Sequence, residues 1–95
     1  MSNILDIKKA INLLTKSGTK LKNISLLHCN SEYPSPLKDL NLLVIPELKK
    51  IFKTEVGYSD HSMSLSVPIS AVALGSTIIE KHITLNRNLK GPDHK

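Results

Sequence analysis

Aromatic residues are nearly missing from this chain: Tyr33, Phe52 and Tyr58 are all it has, and there is no tryptophan. Any core must therefore be aliphatic. A nucleic-acid surface built from bases stacked on interleaved aromatics has no material here. The single cysteine, Cys29, excludes an internal disulfide and a cysteine-based zinc framework. That fits a reducing, cytoplasmic setting. No apolar run reaches the length of a membrane span, and residues 68–79 come closest. The first twenty residues lack the apolar core and small-residue cleavage site of a signal peptide. There is also no repeat, no low-complexity tract and no linker that would mark a second domain.

What remains is a 95-residue chain, 40% hydrophobic and 22% charged, enough for one domain or a piece of one. Its net charge of +5 suits either nucleic acid or an anionic substrate such as a phosphate or carboxylate. The lysines are scattered along the chain from Lys8-Lys9 to the C-terminus with no stripe. No nucleic-acid partner is expected, and no membrane. A solvated basic surface is the plain alternative to an anionic substrate.

Along the chain, apolar residues three and four apart predict an amphipathic helix over residues 3–17, capped by Ser2 or Asn3 and stopped at Gly18. Residues 24–29 form a short, nearly continuous apolar strand of the kind buried in parallel sheets. A loop with two prolines follows. Residues 40–52 predict a second helix, with Pro46 marking a first turn or a kink, so that the helix can start as late as Ile45. Residues 56–59 are a second strand, the apolar segment 64–74 holds a third helix starting near Pro68 or slightly earlier and stopping at Gly75, and 78–84 are a third strand, with a loop-like tail from Leu85. Strands alternating with helices imply βαβ units and a parallel sheet. Three strands would leave two edges open and poorly covered. The fold class expected is therefore α/β, a slice of a larger (β/α)8 barrel.

Polar residues gather at the strand ends. Parity puts Gly57, Ser59 and His61 on one face, and Ile78, Glu80, His82 and Thr84 on one face of the next strand. Leu27, Cys29 and Ser31 share a face of the first strand, which Tyr33 would continue. In a barrel, the inner face at the C-terminal strand ends carries the chemistry. His61 and His82 end sequential strands, about 5 Å apart if those strands pair. They either share one divalent metal or are two separate hydrogen-bonded histidines. Ser31 and Ser59 either hold a phosphate or satisfy loop backbone. Asp60, of opposite parity, caps the next helix or braces a loop. Glu80 either orients an imidazole or forms half of an ion pair. Gly91-Pro92 either aims Asp93 back across the strand ends or is a surface turn. Cys29 reads as a packing residue, with His28 on the opposite face.

Five motifs occur in order over about 70 residues: Leu26-Leu27-His28-Cys29-Asn30-Ser31-Glu32-Tyr33-Pro34-Ser35-Pro36, Val56-Gly57-Tyr58-Ser59-Asp60-His61-Ser62, Ala71-Val72-Ala73-Leu74-Gly75-Ser76, Ile79-Glu80-Lys81-His82-Ile83-Thr84 and Gly91-Pro92-Asp93-His94-Lys95. Together they resemble the sialic acid synthase family, the N-acetylneuraminate synthases with their legionaminate, pseudaminate and spore-coat relatives. The resemblance implies that residues 1–95 are a fragment of the synthase barrel, strands six to eight with their preceding helices. Met1-Ser2 falls where members have an internal Met-Ala or Met-Ser, and the family's antifreeze-like domain is absent.

The activity it implies is metal-dependent transfer. Carbon 3 of phosphoenolpyruvate attacks the aldehyde of an N-acetylated hexosamine such as N-acetylmannosamine, and water adds at carbon 2. The products are a nine-carbon 2-keto sugar acid and phosphate. By the resemblance, His61 and His82 hold manganese or magnesium, and Ser59 and Ser31 contact the phosphate. Tyr33 contacts the sugar, Asp93 binds or orients its hydroxyls, and His82 and Asp93 carry the catalytic roles. The family's glutamate and lysines from earlier strands, and an arginine from the antifreeze-like domain of a second subunit in a homodimer, have no counterpart here. The resemblance thus implies an inactive fragment that needs the missing half-barrel. Its alternative is a non-catalytic remnant or partner-requiring subunit of such a synthase. Asn86 replaces a common aspartate.

Overall fold

The computed structural model describes residues 2–94. Met1, half of the expected family junction, and Lys95, which ends the last motif, lie outside the described residues. Helix α1, Ile4–Lys16, starts at Asn3, whose side chain accepts from the Asp6 N–H while Asp6 accepts from the Asn3 N–H. This reciprocal box satisfies two of the donors a helix start leaves open. Strand β1, Ser25–Cys29, follows after a 3-10 turn, Leu21–Asn23.

Helix α2 is Val44–Phe52, shorter than the pattern from Leu40 suggests. Asn41 takes a left-handed φ of 44°, which breaks the helix upstream. Pro46 then falls in the first turn, where its missing N–H costs nothing. Lys53, at φ 54°, ends the helix in the position glycine commonly takes.

Strand β2, Glu55–Asp60, runs one residue longer at each end than expected. Helix α3 is Ser66–Ala73, and β3 is only Ile79–Lys81. The expected third strand reached Thr84. It stops early because the Asp60 carboxylate accepts the Ser62 N–H at 2.8 Å and turns the chain after β2 out of the sheet. Residues beyond Lys81 have no ladder to join. A 3-10 turn, Pro92–His94, follows the loop.

The sheet order is β1-β2-β3, all parallel, with Leu27 opposite Gly57 and Asp60 opposite Lys81. Val56 and Tyr58 are buried with Ile45, Leu48 and Phe52 of α2 and Val67 and Ala71 of α3. Ile7 and Ile11 of α1 pack against the same cluster. All three helices thus lie on one face of the sheet. On the other face Leu27 is 41% exposed, and Gly57 leaves the space that Leu27 and Ile78 fill. A Cβ there would come within 2.7 Å of both side chains.

Candidate active site

The loop after β1 is tied down at the end of β2. The Ser35 N–H donates to the His61 carbonyl at 3.0 Å, and the Ser35 hydroxyl donates to the Glu32 carbonyl at 2.7 Å. This lays Tyr33 on His61, with ring centroids 4.0 Å apart and planes 24° apart. The same ring meets His82 edge-on at 5.4 Å. Partial burial pushes the Tyr33 phenol above the usual tyrosine value, and Asp93, Cys29 and Glu80 push the same way.

His61 and His82 stand side by side, with centroids 5.1 Å apart. The register explains it: one step beyond the Asp60–Lys81 pair, the two histidines face each other. His61 Nδ1 is 2.6 Å from the Asn30 carbonyl oxygen. A carbonyl only accepts, so Nδ1 carries the proton and the Nε2 lone pair is left free. His82 Nδ1 faces Asp93 Oδ1 at 3.5 Å. That places the carboxylate beside the ring at ion-pair distance. Asp93 gets there because His94 Nδ1 and the Thr84 hydroxyl are 2.7 Å apart, which closes the loop between them. The surrounding hollow measures about 490 Å³ and includes Tyr33, His61, His82, Thr84, Arg87 and Asp93. It is open: the His82 side chain is 37% exposed and that of Asp93 is 55% exposed.

Ser59 is buried beneath His61, with its oxygen 3.5 Å from Nε2. Its proton goes to Glu80 Oε1 at 2.6 Å, so the hydroxyl is engaged. Glu80 therefore serves Ser59 and not His82. Ser31 is not brought to this hollow. It lines a larger one, about 900 Å³, between α1 and the β1 edge. Strand β1 ends at Cys29, so parity no longer governs where Ser31 points.

Three participants were not read from the sequence. The Asn30 carbonyl leaves no sequence signal. Cys29 Sγ lies 3.7 Å from His61 Nδ1, a cross-strand contact that comparison with its neighbour His28 could not show. Lys81 pairs with Asp60. Its signal was present, because histidines that face each other put the residues just before them opposite each other as well.

The NeuB family model matches residues 1–95. The chain is 50% identical over 95 residues to an N,N'-diacetyllegionaminic acid synthase of Campylobacter jejuni, covering 100% of this chain and 28% of that protein. It is 44% identical over 73 residues to the N-acetylneuraminate-9-phosphate synthase of Homo sapiens, covering 76% of this chain and 20% of that protein. The crystal structure of N-acetylneuraminic acid (sialic acid) synthetase from Leptospira borgpetersenii in complex with citrate superposes with a TM-score of 0.87 at 39% identity, over 99% of this chain and 32% of that one. The chain thus spans about a fifth to a third of the length of these relatives.

Proposed function

The chain belongs to the NeuB family, and on that premise we propose that it forms one wall of a synthase site in which phosphoenolpyruvate condenses with an N-acetylated hexosamine. The observation that carries this reading is the His61–His82 pair at adjacent strand ends, with His61 Nδ1 held by the Asn30 carbonyl and His82 Nδ1 within ion-pair distance of Asp93. A histidine that holds a metal typically donates its other ring N–H to a carbonyl, a carboxylate or water, and a carbonyl stands at His61 and a carboxylate near His82. The pair fits a divalent ion such as manganese or magnesium, held by His61 and His82. Among the described residues no group of three His, Cys, Asp or Glu side chains converges, so oxygen ligands from water or substrate would complete the shell. When bound, the ion supplies Lewis-acid polarisation of the sugar aldehyde.

The remaining roles fall to this chain's own groups. Tyr33 walls the sugar side against His61, and Asp93 orients sugar hydroxyls while holding His82. Ser59 contacts phosphate once its hydroxyl turns from Glu80 and donates to a phosphate oxygen instead. The carbon–carbon bond forms between carbon 3 of phosphoenolpyruvate and the aldehyde carbon. Water adds at carbon 2, and loss of phosphate leaves the keto group. The scattered basic charge suits these anions.

Parallel strands with every helix on one face are what a stretch of (β/α)8 barrel wall looks like, its bare face being the inside. We assign that inside to the rest of such a barrel. This favours a chain that works joined to further strands over one that works by itself.

Grafting tests the reading. The chain replaces the matching stretch of the Campylobacter jejuni N,N'-diacetyllegionaminic acid synthase, and phosphate release is followed with phosphoenolpyruvate, manganese and that enzyme's sugar. Turnover is expected, and His61→Ala or His82→Ala should lower kcat/KM by about 100-fold or more. The 95-residue chain by itself should release no phosphate. A folded graft without turnover, or histidine variants as fast as their parent, rejects the proposal.

A further inference from the structure

Next to the two histidines, at the opposite strand parity, lies an ion pair. Asp60 and Lys81 are register partners, each one residue before a histidine. Lys81 Nζ is 2.5 Å from Asp60 Oδ2, and the Asp60 side chain has no exposed surface. The same Nζ donates to the Ser62 carbonyl at 2.9 Å. The Ser62 N–H returns to Asp60 Oδ1 at 2.8 Å. These contacts close a ring through Asp60, Ser62 and Lys81, with His61 held between the first two.

Strand β3 needs such a device. It meets β2 through three register partners only, and all three of its residues are exposed. Side-chain burial therefore does little to specify its register. A slip of one residue would turn His82 to the other face of the sheet. Two cross-strand side-chain contacts mark the observed register, the Ser59–Glu80 hydrogen bond and the charge pair, and the second reaches a buried carboxylate. Stability alone is a poor reason for the pair, since the cost of stripping water from a buried charge offsets most of the attraction.

We propose that Asp60 and Lys81 are positioning residues that lock β3 in register so that His61 and His82 share one site. The proposal rests on the reading that the two histidines act together. Asp60 and Lys81 have the opposite strand parity to the histidines, and with Ser62 they line the margin of the same hollow.

The experiment uses the 95-residue chain. The nuclear Overhauser contact between the His61 and His82 ring protons reports the juxtaposition, and electron paramagnetic resonance titration reports manganese binding. Wild type and Lys81→Arg, which keeps the charge, should show the ring contact. Lys81→Met and the neutral pair Asp60→Asn/Lys81→Met should lose it, with manganese affinity down by about tenfold or more. The neutral pair should keep its far-UV circular dichroism and melt within about 5 °C of wild type. Absence of the contact in wild type, its retention in the neutral pair, or melting of the whole chain in that variant overturns the proposal. If the contact is present and depends on the charge pair while manganese binds to no variant, the lock stands and the metal assignment falls.

Discussion

Tyr58 sits mid-strand in β2 with 1% of its surface exposed, and its hydroxyl has no protein partner among the described residues. Burial, and then the nearby Asp60 and Cys29, pushes its phenol up to about 12. Below pH 10 the group is neutral in both the folded and the unfolded chain. Above that the unfolded chain loses the proton first, so stability falls as pH rises from the ordinary tyrosine value, about 10, to about 12. Tyr58→Phe breaks no protein hydrogen bond. It should stay within about 1 kcal/mol of wild type at neutral pH and lose less stability above about pH 10. Urea midpoints at about pH 8 and about pH 11 check both statements. At this same scale parity predicted much: His61, His82 and Ser59 do lie toward one another. Ser31 lies past the end of β1 and, with Leu27 and Cys29, lines the other hollow.

Among the three α-helices, α1 is the least anchored, with no buried residue. Its start depends on the Asn3–Asp6 box. Asn3→Ala should cost about 1 kcal/mol of helix stability. Amide exchange in α1 should then accelerate by about fivefold, while the amides of β2, buried from Val56 to Asp60, keep their protection. Equal acceleration across both elements would mean that α1 does not open separately. The kinds of element were legible from period and punctuation: helix, strand, helix, strand, helix, strand in the order observed. Their lengths were less so. Helix α2 lost its first residues to a left-handed Asn41, and β3 lost its last ones to a turn made by a residue of β2. The first is a backbone state that many residue types visit, and the second depends on a neighbour that local pattern does not see.

For the molecule as a whole, a Cα radius of gyration of 14.6 Å exceeds the ~12 Å of a ball-shaped domain of this length. The extents, 44 × 27 × 20 Å, describe a slab. Large apolar residues stand out at its margin: Leu65 is 81% exposed, Ile69 70% and Ile83 94%. With both sheet edges open as well, the purified chain should self-associate at concentrations of about 10 μM and above. Sedimentation velocity would show it, and a concentration-independent monomer would contradict it. No helix of the described residues is long and apolar enough to cross a membrane.

Some things were determined by the sequence alone: the alternation of helices and strands, the family, and the placing of two histidines at the ends of successive strands. These follow from local periodicity and from motifs in a set order. Only the tertiary structure decided that Asn30 lends its carbonyl to His61, that Tyr33 stacks on that ring, and that the Ser59 hydroxyl donates a hydrogen bond to Glu80. It also decided that Lys81 pairs with Asp60. The physical reason is that periodicity sets which face a side chain shares with its own strand, whereas hydrogen-bond partners are chosen between elements far apart in sequence.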